Sequence, residues 1–246
     1  MNPMIELLAL PGLPEVRPGD DLARLILATG TELTRDDVLV VAHKVVSKAE
    51  GRIVDLADVT PGARALALAA EHGKDARHVE VILSEAAQLV RADGGRLICR
   101  TRHGFVCANA GVDQSNAAAA EQLILLPLDP DASARALRRA LPNHPAVIIT
   151  DSFGRAWRTG QCEVAIGVAG LTPLQDWRGL PDTAGRELHA TVIAIADEAA
   201  AAADLVRGKD TREPAVRVRG LQKHVTSDDG PGVAPLVRKL EDDLFR

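Results

Sequence analysis

The sequence predicts an α/β fold, because apolar runs with the character of buried strands alternate with segments of helical spacing. The run at 37–42 is almost continuously apolar, and 147–149 consists of β-branched residues, as is typical of strands buried in a sheet. The segments 61–72 and 78–90 are rich in Ala and Leu, which favours helices. Since 46% of the 246 residues are hydrophobic, the chain can bury a sizeable, mainly aliphatic core.

Local signals define the individual elements. Asp21 is an N-cap for a helix with Leu22, Leu25 and Ile26 on one face, and Gly208 fits the position after a helix C-terminus. Strands are predicted, in chain order, at 5–10, 37–42, 96–100, 104–108, 147–149, 164–170 and 217–220. Helices are predicted at 21–29, 61–72, 78–90, 132–141, 197–206 and in the tail beyond 223, while 188–195 is either a strand or the start of a helix.

Composition and charge exclude several classes of protein. A net charge of −5 provides no positive field for nucleic acid, and an aromatic content of 2% without Tyr leaves no platform for base stacking. No apolar run approaches the length of a membrane span, and the N-terminus lacks the pattern of a signal peptide. Cys99, Cys107 and Cys162 form no C-x-x-C pair, which fits reduced thiols. We therefore expect a cytoplasmic protein that binds neither nucleic acid nor membranes.

The polar motif that follows 147–149 is the main candidate for chemistry. Asp151 and Ser152 come directly after the apolar run, and loops that leave strand ends commonly face ligands. Asp151 offers hard oxygen ligands for a divalent cation, and the planar forks of Arg155 and Arg158 suit phosphate or carboxylate. The motif indicates phosphate chemistry around a metal ion. A helix N-cap followed by solvated arginines is the alternative interpretation.

A basic segment follows 37–42. Lys44 and Lys48 are four residues apart, so on a helix they would share a face from which ammonium groups can reach triphosphate oxygens. The glycines of a P-loop are missing, and a solvated basic turn is the alternative. His43 has no second His at ligand spacing, so we interpret it as a packed or hydrogen-bonding residue rather than a metal ligand.

Two loops complete the candidate site. In 11–19, prolines and glycines surround Glu15, and the backbone N–H groups of this loop either bind an anion or simply turn the chain. In 109–116, Asp113 is either a second ligand of the metal at Asp151 or the cap of a helix at 117–123. Glu198 is either an inward-facing metal ligand or half of a surface ion pair.

Five groups of segments occur in order along the chain: 12–15 with 17–21, 44–48 with 50–51, 110–116, 149–158 with 160–161, and 196–198 with 205–209. Together they resemble the coenzyme F420-0:L-glutamate ligase family, the F420 γ-glutamyl ligases. The resemblance extends from about residue 5 to residue 220 and is specific because the segments occur together.

The resemblance implies an intertwined, two-part mixed α/β fold that is neither a P-loop nor a Rossmann fold, in a homodimer. One family domain would span 1–246, with a subdomain boundary near 130 and no C-terminal nitroreductase-like domain. The implied enzyme joins L-glutamate by an amide bond to coenzyme F420-0. It would use GTP and two divalent metal ions, Mg²⁺ or Mn²⁺, with K⁺ as a further candidate cation.

Site residues follow from the resemblance by matching position. Asp113 and Asp151 would share one metal ion, and Ser152, in place of the commoner threonine, would reach a second. His43 stands where the family has a serine near the nucleotide. The implied GTP contacts are Leu13, Pro14, Glu15, Val16, His43, Lys48, Asn116, Gly208 and Lys209. From their motif and chemistry, Arg155 and Arg158 are our candidates for holding the substrate's phosphate or the glutamate carboxylates.

The implied reaction agrees with the residues present. A carboxylate is a poor electrophile, so the acid would first take the γ-phosphoryl group of GTP and become an acyl phosphate, which the amine of glutamate then attacks. In such a reaction the side chains mainly position the substrates and neutralise the charge that develops, so no Ser-His-Asp or Cys-His arrangement is needed. Two rival hypotheses are an amide-forming ligase acting on a different acid and a nucleotide-binding regulatory module without catalysis.

Overall fold

The computed structural model describes residues 4–115, 117, 119–208 and 210–243, and it confirms the α/β class. The strands in this part of the chain are β1 (Glu6–Ala9), β2 (Val38–Ala42), β3 (Ile53–Asp55), β4 (Ala86–Asp93), β5 (Arg96–Thr101), β6 (Val106–Ala108), β7 (Gln122–Ile124), β8 (Ala146–Gly154), β9 (Gln161–Ala169), β10 (Gln175–Asp176), β11 (Val192–Ile193) and β12 (Ala215–Arg219). The α-helices are α1 (Leu22–Ala28), α2 (His43–Ala49), α3 (Ala63–His72), α4 (Ala76–Glu85), α5 (Pro130–Ala140) and α6 (Ile195–Asp204).

The largest sheet is mixed and has the strand order β1-β12-β2-β8-β9. Only the β2–β8 pair in this sheet is parallel, and its register joins Val38 to Ala146 and Ala42 to Thr150. The side chains of β2 from Val38 to Val41 are fully buried, which explains why this strand is apolar on both faces. Because the two strands run in the same direction, the residues that follow Ala42 and those that follow Thr150 lie at the same end of the β2–β8 pair.

Helices α5 and α6 cover β9, one of the two edge strands of this sheet. The buried face of α6 consists mainly of alanines, whose small side chains allow a close approach to the sheet. Gly167 in β9 serves the same purpose, since a Cβ atom there would lie 2.4 Å from the carbonyl oxygen of Pro130 in α5. Tight packing therefore fixes the hairpin formed by β8 and β9 against the first turn of α5.

A second apolar cluster lies around α3, α4 and the sheet β4-β5-β6. Here the helix predicted at 78–90 is wrong beyond Glu85, where α4 ends and β4 begins. Antiparallel pairing of β4 with β5, with irregularities near Gln88 and Leu89, supplies backbone hydrogen bonds that replace the helical ones. Long-range pairing therefore overrides the local helical pattern. The predicted subdomain boundary near 130 stays a prediction.

The central motif also differs from the prediction, because β8 does not end at Ile149. It continues through Asp151 and Ser152 to Gly154, with Ile149 and Thr150 flanking an irregularity in the pairing with β9. Cross-strand pairing is the reason for the longer strand, since Asp151 lies opposite Val164 and Ser152 opposite Glu163. The interpretation of Asp151 and Ser152 as a helix N-cap is therefore wrong.

Smaller differences concern helix ends and the tail. The alternative helix at 117–123 is wrong for the described residues there, because Gln122–Ile124 forms β7 and pairs with β3. Helix α6 ends at Asp204, and Gly208 does not adopt the left-handed conformation of a C′ glycine. From 223 to 243 the helical segments are short 3₁₀ turns. None of the helices within the described residues is long and apolar enough to cross a membrane.

Candidate active site

The candidate site forms where β2 leads directly into α2. Ala42 ends the strand, and the helix begins at His43 without a side-chain cap. His43 is buried, its Nδ1 atom lies 3.4 Å from the Ser47 hydroxyl, and its Nε2 atom lies 3.2 Å from Oδ1 of Asp151. The parallel register of β2 and β8 accounts for this contact, since Ala42 pairs with Thr150. His43 is therefore a packed, hydrogen-bonding residue, as its sequence context predicts.

Asp113 lies beside the next residue of α2. The Nζ atom of Lys44 is 2.7 Å from Oδ2 of Asp113 and donates a 2.5 Å hydrogen bond to the Ser115 hydroxyl. The backbone N–H of Ser115 also donates to Asp113, at 2.7 Å. Burial raises the pKa of Asp113, but the hydrogen bonds from Lys44 and Ser115 outweigh burial and hold the pKa below its usual value. The carboxylate is thus kept ionised and suited to a cation.

Lys48 lies one turn further along α2 and binds the loop that precedes α1. Its side chain is only 8% exposed and forms an ion pair with Glu15. Leu13 and Val16 bury their side chains in the main core, whereas Pro14 and Glu15 between them are exposed. Three contacts of α2 therefore connect the loop at 13–16, Asp113 and Asp151.

The remaining candidates belong to other segments or fall outside the described residues. Arg155 and Arg158 are exposed in the turn between β8 and β9, where Arg155 donates a 2.8 Å hydrogen bond to the Thr159 carbonyl. Gly208 is exposed between α6 and β12. Asn116 and Lys209 fall outside the residues that the structure describes.

Comparison with known proteins identifies the family. The family model described as F420-0:Gamma-glutamyl ligase matches residues 12–220. The chain belongs to this family. It is 46% identical to the coenzyme F420:L-glutamate ligase of Methanothermobacter thermautotrophicus, over 98% of this chain and 99% of the relative. The proteins of the same name from Methanopyrus kandleri and Haloarcula marismortui are 47% and 42% identical, over 99% and 98% of this chain and 98% and 96% of their own lengths.

The oxygen donors of this F420-0:γ-glutamyl ligase family member fit a hard divalent cation. Asp113, Asp151 and Ser152 supply carboxylate and hydroxyl oxygens, the ligand types that Mg²⁺ and Mn²⁺ prefer. Among the described residues, no group of three or more His, Cys, Asp and Glu side chains converges on one point. Such a sparse protein donor set suits a metal that takes its other ligands from nucleotide phosphates and water.

Two residues outside the predicted site, Glu163 and Arg207, connect Ser152 to the segment after α6. Glu163 of β9 accepts a hydrogen bond from the Ser152 hydroxyl and lies 2.7 Å from Arg207, which follows α6. A carboxylate within the otherwise apolar run 162–169 was the signal for Glu163. Sequence alone gives no partner for it, because Arg207 belongs to a distant segment.

Proposed function

We propose that this chain is a coenzyme F420:L-glutamate ligase that uses GTP and divalent metal ions to form a γ-glutamyl amide bond. The observation that supports the proposal most directly is the convergence on α2. His43 contacts Asp151, Lys44 contacts Asp113, and Lys48 contacts the loop at Glu15. Carboxylates that could bind a metal ion and lysines that could bind phosphates thus contact one helix, an arrangement that suits phosphoryl transfer. The full-length relatives bear the name of this activity.

The reaction would proceed in two displacements. A carboxylate oxygen of F420-0 attacks the γ-phosphorus of GTP, the bond to the β–γ bridging oxygen breaks, and GDP leaves. The amine of L-glutamate, having lost a proton, then attacks the acyl carbon, and inorganic phosphate leaves as the amide forms. The first displacement activates a carboxylate that would otherwise react poorly with an amine, and both require close positioning of the reactants.

The chain's own residues would hold and neutralise the phosphates. Asp113, Asp151 and Ser152 would hold Mg²⁺ or Mn²⁺, which supplies positive charge to the phosphate oxygens when bound. Lys44, which neutralises Asp113 in the structure, would turn to a phosphate oxygen once Asp113 binds metal. Lys48, almost fully buried, would exchange Glu15 for the triphosphate. K⁺ is a third candidate cation, and Asn116, Gly208 and Lys209 are further candidate nucleotide contacts.

Arg155 and Arg158 would hold acidic groups of the substrates. Both are exposed in the turn of the β8–β9 hairpin, on the same hairpin as Asp151 and Ser152. Their guanidinium forks suit the phosphate of F420-0 or the carboxylates of L-glutamate. We also propose that the protein acts as a homodimer, in line with the family resemblance.

Mass spectrometry after incubation with F420-0, L-glutamate, GTP and Mn²⁺ tests the proposed function. We expect a mass gain of one glutamyl residue that requires GTP and disappears in the variant Asp151→Ala. GTP turnover with a different acid would support the proposed reaction type but would show that F420-0 is not the substrate. GTP binding without turnover on any acid would favour the regulatory module instead.

A further inference from the structure

A buried ion pair connects the β8–β9 hairpin to the segment after α6. Oε2 of Glu163 lies 2.7 Å from Nη2 of Arg207, and the two side chains are 4% and 7% exposed. Glu163 also accepts a hydrogen bond from the Ser152 hydroxyl. Because Ser152 and Glu163 are directly opposite in the strand register, their side chains are on the same face of the hairpin.

Arg207 contacts three further parts of the fold. Its guanidinium reaches the Thr150 hydroxyl at 3.3 Å, the Pro214 carbonyl at 3.4 Å and the Asp204 carboxylate at 3.6 Å. The Pro214 carbonyl also accepts a 2.9 Å hydrogen bond from the backbone of Ala42, the last residue before α2. One guanidinium therefore fixes the two ends of the segment 205–214 relative to β2 and β8.

Stability alone is a weak reason for such a pair. Removing two charges from water costs free energy that their attraction only partly restores, and well-packed apolar residues often replace buried ion pairs without loss. The pair lies between Ser152, assigned above to a metal ion, and the segment that contains Gly208, assigned above to GTP. This location indicates a role in aligning the two.

We infer that Glu163 and Arg207 are positioning residues for this reaction. Glu163 fixes the orientation of the Ser152 hydroxyl toward its metal ion. Arg207 connects Glu163 to the segment at 208, and this connection keeps the metal ion and the nucleotide in a fixed relative position. The inference rests on the proposed function, because it takes the metal role of Ser152 and the nucleotide role of Gly208 from there. Residues that orient a ligand to a metal typically change metal affinity or activity by about 10–100-fold when replaced.

Titrations of the intact protein with Mn²⁺ and with a fluorescent GTP analogue test the inference. We expect Glu163→Gln and the conservative Arg207→Lys to weaken Mn²⁺ binding in the presence of the nucleotide by about tenfold or more. Asp37→Asn is the matched control. Asp37 is buried and bonded to Arg219 at 2.7 Å and 2.8 Å, but it precedes β2, at the end of the strand away from His43. This control should lose stability while retaining the affinities of the unmodified protein.

A double-substitution cycle separates positioning from direct coordination. If Glu163 acts through Ser152, then Glu163→Gln should weaken Mn²⁺ binding little further in a Ser152→Ala background. An equal loss in both backgrounds would make Glu163 a metal ligand itself and overturn the inference. The inference would also be overturned if Glu163→Gln and Arg207→Lys bound Mn²⁺ and the GTP analogue as tightly as Asp37→Asn does. The ion pair would then have only a structural role. Absence of GTP and Mn²⁺ binding by the unmodified chain would instead refute the proposed function, and the inference with it.

Discussion

The Nε2 atom of His43 lies 3.2 Å from Oδ1 of Asp151, so the residue that begins α2 directly contacts a carboxylate of the neighbouring parallel strand. Both side chains are shielded from solvent, and the imidazole is further fixed by the nearby Ser47 hydroxyl. A group that orients a proposed metal ligand in this way would affect metal binding without contacting the metal.

We therefore expect His43→Ala to weaken Mn²⁺ binding by about 10–100-fold, because Asp151 loses the contact that fixes its carboxylate. Isothermal titration calorimetry with Mn²⁺ and GTP measures the change. His189→Ala is the control, since His189 is exposed and lies between the short strands β10 and β11. Equal affinities in the two variants would show that Asp151 does not depend on His43.

The second prediction concerns acid stability without metal. The folded pKa of Asp113 is lowered, so its carboxylate adds stability above the unfolded value near 3.8, and this contribution is lost as the pH falls through the folded pKa. Lys44→Met removes the main favourable partner and leaves burial to raise the pKa. The stability difference between unmodified protein and variant should then grow as the pH rises from about 3 to 6. Urea unfolding at several pH values measures it, and a difference independent of pH would contradict the assignment.

The third prediction concerns the contact between β9 and α5. Gly167→Ala places a methyl group against the Pro130 carbonyl, so we expect a loss of about 1–3 kcal/mol in the free energy of unfolding. Gly154→Ala is the control, because a Cβ atom there meets no atom within 4 Å. Urea denaturation compares the two. Equal stability would mean that the first turn of α5 moves away from the sheet at little cost.

The fourth prediction concerns thiol reactivity. Burial, with a smaller contribution from Asp151, raises the pKa of Cys107 to about 12, and burial also raises the pKa of Cys99. Both should therefore resist a thiol-reactive disulfide reagent at about pH 8, whereas the partly exposed Cys162 should react. Counting reacted thiols in native and urea-unfolded protein measures this, and Cys162→Ser should abolish the native reaction. Fast labelling of Cys107 in the folded variant would contradict its burial.

Elements fixed by local chemistry were predictable from the sequence. Asp21 caps α1 with a side-chain hydrogen bond, as predicted, and β2 is apolar because both of its faces are buried. Elements fixed by distant partners were not. Residues 86–93 form a strand because they pair with β5. Likewise, β8 extends through Ser152 because this part of the strand pairs with β9.

The site was predictable in its residue types and less so in its contacts. Asp151 and the lysines of α2 were predicted from their position after apolar runs, and Asp113 from its place in the loop 109–116. The structure groups them around one helix. The partnership of Glu163 with Arg207 was not predictable, because it depends on how α6 ends relative to the β8–β9 hairpin. Asn116 and Lys209 stay predictions, as does the homodimer.

Helix α2 would couple the binding of the two proposed ligands. Because His43, Lys44 and Lys48 belong to one seven-residue helix, a shift of the helix axis would alter their contacts with Asp151, Asp113 and Glu15 together. Cation loading at the aspartates and triphosphate entry at the Glu15 loop would then bias the same displacement. We expect each ligand to raise the affinity for the other by the same factor, as thermodynamic reciprocity demands.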